Sequence, residues 1–295
     1  MSHADLEPID ARTSAPGARL GEGSLLWRIS TDWRSGLPGF SAGILQLMWP
    51  HLGKGVEDHS AFFTEPWDRI NRSVPQIWAT ILADDAEEQG RRIRDLHKDI
   101  KGVDRHGNRY HALDPDTFWW AHATFTWEMF ETARRWNHRG LSKGRKERLY
   151  QETVTWYRRY GVSERPVPSD YRSFKARFKE ICAEELEMTP SAARAIEMAL
   201  TDRAPAPANV PKAVAGVASA GVTPIMRAMS IGGLPPIVRE RFDIPFTAAD
   251  EAVLAALTLT VRNIGQVVPS QLTRERYLKT IERMGDLASP RPEVA

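Results

Sequence analysis

Apolar residues recur along this chain at intervals of three and four far more often than at alternate positions. That spacing gathers them on one stripe of a 3.6-residue helix. It predicts helices near Ala42–Met48, Glu65–Ile81, Ala86–Lys101, Asp116–Asn137, Ser142–Tyr160, Ser169–Glu185, Pro190–Thr201, Ala248–Val267 and Thr273–Met284. Start signals support several of them: Asp114-Pro115, Ser142 and Thr247 each precede an apolar-periodic run, and a short polar side chain there accepts otherwise unpaired N–H groups. Gly140 and Gly161 stand where helices stop. Alternating Val/Ile/Thr runs are missing, as is an Asn-Gly or Asp-Gly turn between such runs, so the expected class is all-α. GNRYHALDP reads as a turn-rich connection and the Pro/Ala-rich Arg203–Val217 as a crossing loop. With no internal repeat, the simplest organisation is one helical domain over residues 23–287, with a disordered lead-in over 1–22 and a disordered tail over 288–295.

The most apolar of these helices contains TFWWAHATFTWEMF, residues 117–130, with a single imidazole, His122, in its middle. At 100° per residue, Phe118, Phe125, Thr126, Met129, Ala133 and Trp136 project within about 60° of it. Trp119, Ala123, Trp127 and Phe130 fill the neighbouring arc, leaving a narrow strip of Glu128, Glu131 and Arg135 for water or ion pairs. Such a helix belongs in the middle of the protein. A neutral imidazole buried there costs a few kcal/mol, roughly, unless both ring nitrogens find partners. A metal is one such partner; a carbonyl and a hydroxyl are the ordinary ones.

Composition narrows the partners. A net charge of +2 on 295 residues gives no reason to expect a bulk polyanion, and no nucleic-acid reader motif is present. The one cysteine, Cys182, sits among acidic residues in CAEELE, which excludes an internal disulfide framework and fits a reducing compartment. The first 23 residues lack a basic and an apolar signal region, and no apolar run is long enough to span a bilayer. The expectation is a cytoplasmic protein. Its ten tryptophans cluster between Trp27 and Trp156, which suggests a core built around something flat or apolar.

Candidate chemistry is sparse. GFSAG, residues 39–43, matches a nucleophile elbow, but RSGLPG ahead of it is no strand, so Ser41 reads as a helix-start residue. No H-E-x-x-H occurs, no glutamate is followed by histidine three residues on, and the eight histidines form no i, i+4 pair. In RRIRDLHKDIKG, a helical reading gathers Arg94, His97, Lys98 and Lys101 on one side, opposite Ile93, Leu96 and Ile100. That side is either a solvated face or a basic wall for an anion such as a cofactor carboxylate, with His97 beside a reacting centre.

The ordered series LMWPHLGKGVEDHSAFFTEPWDRINRS, RIRDLHKDIKG, GNRYHALDPDTFWWAHATFTWEMF and ERLYQETVTWYRRYGV resembles the MpaB family of oxygenases, which includes the rubber oxygenases. The late segment GGLPPIVRERFDIPFTAADEAVLAALTLTVRNIGQVVPS resembles the same family, so the likeness runs roughly from Ser41 to Met284. It implies a globin-like helical core with additional helices, haem b as cofactor, and O2 together with an apolar, unsaturated substrate; the electron donor is unspecified. By the same resemblance His122 is the axial ligand to haem iron. Arg94 matches a distal arginine, while His97 and Lys98 stand where the rubber enzymes carry lysine and threonine. Phe118, Phe125 and Met129 would then line the haem, and Arg94 and Lys101 would face its propionates. His59 and Glu152 match recurrent family positions and read as hydrogen-bonded structural residues. Two further readings stay open: a bis-histidine haem sensor or carrier using His97, and a haem-free helical protein.

Overall fold

The computed structural model describes residues 20–137, 140–201, 224–268 and 270–287, and over these the chain is helical but for one small hairpin. The elements run α1 (Leu25–Ser30), α2 (Gly39–Leu47), α3 (Pro50–His59), α4 (Pro66–Leu82), α5 (Ala86–Asp95), β1 (Lys101–Val103), β2 (Arg109–His111) and α6 (Pro115–Glu131). They continue through α7 (Lys143–Arg158), α8 (Tyr171–Glu180), α9 (Pro190–Leu200), α10 (224–230), α11 (Pro236–Arg241), α12 (Ala248–Val267) and α13 (Ser270–Leu287). The expected starts are real: Asp114 accepts from the N–H groups of Asp116 and Thr117, Ser142 from Arg145, and Thr247 forms a capping box with Asp250. Gly161 ends α7 with a φ of +64°, a left-handed conformation that glycine adopts without steric cost.

The helix expected over Ala86–Lys101 is shorter than its periodicity suggested. It stops at Asp95. His97 Nδ1 donates to the Ile93 carbonyl at 2.7 Å, taking the acceptor that the next helical N–H would use, and the His97 N–H turns to Arg94 O instead. The connection after it is not merely a turn. Lys101 pairs with His111 and Val103 with Arg109 in an antiparallel hairpin, whose loop is held by Asp104 accepting from the N–H groups of His106 and Asn108, with Gly107 at φ +82°. Strands of three residues and an Asp-anchored loop carry neither the alternation nor the two-residue turn that sequence reading looks for.

Helix α6 is central, with α1, α2, α3 and α7 around it. Trp120 is fully buried, stacks on Phe178 at 5.1 Å, and donates its indole N–H to Leu45 O. Trp156 does the same with Thr80 Oγ1 and Trp78 with Ser30 O. The tryptophans thus bury large apolar area, worth about 2–3 kcal/mol each, without stranding an N–H. Glu152 of α7, 2% exposed, accepts from the Leu26 N–H at 2.7 Å and from Arg148 at 2.8 Å, which ties the start of α1 to α7. His59 Nε2 donates to Lys101 O at 3.3 Å. Both residues have the structural role expected of them. The lead-in up to residue 19, the Pro/Ala-rich stretch over 203–217 and the tail over 288–295 lie outside the described residues. Leu20 is buried in the core, so the last residues assigned to the lead-in belong to the folded domain.

Candidate functional site

The residue that singled itself out in the sequence is inside the protein. His122 is 5% exposed and faces α7, with its ring 4.7 Å from Trp156, 5.0 Å from Tyr157 and 6.0 Å from Tyr160. Its Nε2 stands 3.0 Å from the Thr153 carbonyl oxygen. A carbonyl only accepts, so Nε2 carries the proton and Nδ1 presents a lone pair. That lone pair is buried and meets no hydrogen-bond donor among the described residues. Desolvation pushes the imidazole down to about 3, outweighing the opposite pull of the Thr153 carbonyl. The ring is therefore a neutral base throughout the physiological range.

Of the expected lining residues, Phe118 and Phe125 share the α7 rings that surround His122, while none of Phe118, Phe125 and Met129 borders the cavity beside it. Phe118 contacts Tyr157 at 6.2 Å and Tyr160 at 5.3 Å, Phe125 contacts Trp156 at 6.2 Å, and Met129 is fully buried further along α6. His97 packs edge-on against Phe118, ring to ring at 5.9 Å, and Tyr160 meets both Phe118 at 5.3 Å and His122 at 6.0 Å. Arg94 lies against Gly161 at the end of α7 and pairs with Asp95. Lys98 pairs with the same Asp95 at 2.9 Å, with its side chain more than half exposed. Lys101 is carried away from this group: the early end of α5 places it on β1. The single basic wall therefore divides into Arg94, His97 and Lys98 near the α6–α7 seam, and Lys101 on the hairpin.

Sequence reading missed the other half of the site. Thr153, Trp156, Tyr157 and Tyr160 follow Leu149 at helical intervals in LYQETVTWYRRY, a stripe that marks α7 as the partner of α6. Glu128, placed in the polar strip of α6, is instead 2% exposed beside Gly39, and burial pushes its carboxyl up to about 8. It is mostly uncharged at neutral pH.

The donor chemistry suits an axial ligand, since one buried imidazole holds its proton on a backbone carbonyl and leaves the other nitrogen unshared. The space does not suit a macrocycle. A cavity of about 10 Å³ borders His122, Thr126, Thr153 and Tyr157, room for about one water molecule, whereas ligand chambers run to roughly 300 Å³ and more. No cluster of three or more metal-ligating side chains occurs among the described residues, and no single helix there is long and apolar enough to cross a membrane.

Compared with known families, residues 27–263 match the family model described as "ER-bound oxygenase mpaB/B'/Rubber oxygenase, catalytic domain", well over half of the chain. Neither the curated proteins nor the solved structures compared with it include a match.

Proposed function

Because the chain belongs to the mpaB/rubber oxygenase catalytic-domain family, we propose that it is an oxygenase that takes O2 and a small apolar, unsaturated substrate, with haem b held by His122. The observation that carries this reading is the buried Nδ1 of His122, a lone pair with no donor in a helix otherwise packed with aromatic rings. When bound, haem supplies the O2 chemistry. Of the chain's own residues, Thr153 would fix the imidazole and Trp156, Tyr157 and Tyr160 would exclude water around it, while His97 packs against Phe118 and Arg94 against Gly161. A lone buried cysteine, Cys182, is compatible with the reducing, cytoplasmic setting we propose.

The 10 Å³ cavity favours a second reading, in which His122 is a packed core imidazole and the protein holds no haem. Absorption spectra of the purified protein and of His122→Ala, both produced with ample haem and with haem quantified per chain, decide between them. A strong Soret band in the wild type that is lost or displaced in the variant is the expected result. No band in either protein would overturn the haem assignment and leave an oxygenase that activates O2 by other means.

A further inference from the structure

A concave feature lies away from His122, on the hairpin. A pocket of about 450 Å³ is lined by His51 of α3, by Lys101 and Val103 of β1, and by Arg109, Tyr110 and His111 of β2. The antiparallel register puts Lys101, Val103, Arg109 and His111 on one face of the ribbon, since directly paired residues share a face and alternate ones along a strand do too. Lys101 and Arg109 are diagonal neighbours there, close enough for two long side chains to converge on one group.

The pocket is held in place from beneath. Tyr110, 4% exposed, donates its hydroxyl to Asp58 at 2.8 Å and lies over Gly102, where any Cβ would come within 2.8 Å of its ring. His51 stacks on Tyr110 at 6.2 Å and is fixed by Asp104 at 3.3 Å. His111 has both ring nitrogens engaged, one donating to Lys98 O and the other accepting from the Leu113 N–H, so it is a neutral wall and not a metal ligand. The carboxylate in the wall, Asp114, is committed to capping α6. Lys101 and Arg109, both exposed, have no carboxylate partner among the described residues.

Two cations and an exposed valine on one face of a ribbon braced from beneath by Tyr110 form a site for one kind of ligand. We propose that this pocket binds a small organic anion, with its carboxylate or phosphate between Lys101 and Arg109 and its flat apolar body against Val103, which shares their face and is exposed. Its volume falls in the range of small-molecule sites, and it is concave where a macromolecular interface would be broad and flat. The site is separate from the candidate haem position and does not depend on it, since Asp114 and His122 are two turns of α6 apart.

Calorimetric titration tests this, with phenyl phosphate, inorganic phosphate and benzyl alcohol as probes of the wild type, of Lys101→Gln/Arg109→Gln, and of Lys175→Gln as an exposed control. Both substituted residues are exposed, so near-ultraviolet circular dichroism of the double variant should match the wild type. Phenyl phosphate should bind one per chain, about tenfold or more tighter than either other probe, and the double variant should weaken it by about tenfold or more while the control leaves it unchanged. The proposal is overturned if phenyl phosphate does not saturate the wild type. It is also overturned if inorganic phosphate binds equally well, which would indicate an adventitious ion only, or if the double variant binds as the wild type does.

Discussion

Replacing His122 by leucine should change how stability depends on pH more than it changes stability at any one pH. The imidazole is held at about 3 by burial, against an ordinary 6.5 in the unfolded chain. As pH falls below 6.5 the unfolded chain takes up a proton that the folded one refuses. The contribution of the neutral ring is thus fully present above about pH 6.5 and is lost as pH falls toward 3. From about pH 7 to about pH 5 the loss amounts to roughly 2 kcal/mol, at about 1.4 kcal/mol per pH unit once the unfolded histidine titrates. Urea denaturation at the two pH values gives the stability of each protein, and subtraction cancels every titrating group common to both. The wild type should lose about 2 kcal/mol more than His122→Leu over that interval. Equal losses, to within roughly 0.5 kcal/mol, would mean that the folded imidazole takes up a proton as freely as the unfolded one, and the buried-lone-pair account of the site would fail.

Glu128 should show the opposite sign. Its folded carboxyl is raised to about 8 from 4.5 by desolvation, so its own contribution to stability is fully present below pH 4.5 and is eroded as pH rises toward 8. Glu128→Gln should therefore be about 2 kcal/mol more stabilising at about pH 7 than at about pH 5; a constant effect across that range would refute the buried neutral acid. Glu152→Ala removes the acceptor of the Leu26 N–H and the partner of Arg148, and should cost about 3 kcal/mol in the same denaturation assay. A loss under roughly 1 kcal/mol would show that α1 is not anchored through α7.

The sequence by itself determined most of the helices and the middle position of α6. Amphipathic spacing and N-caps are local, and a run such as TFWWAHATFTWEMF has no polar face wide enough for a surface. It also determined the family, through motifs spread in order over residues 47–270 that a family model recognises across 27–263. Only the tertiary structure decided what His122 meets. Its neighbours Thr153, Trp156, Tyr157 and Tyr160 come from a helix some thirty residues later, and the identity of a hydrogen-bond acceptor or the volume of a cavity depends on how two helices seat. The same holds for Lys101. A 3.6-residue period continues through it and places it beside His97, but the His97 ring captures the Ile93 carbonyl, the helix ends, and Lys101 joins Arg109 across a hairpin that exists because Tyr110 finds Asp58 on α3. Periodicity reports which residues share a helix face; it cannot report a competition for one carbonyl, and that competition moved a cation from one site to another.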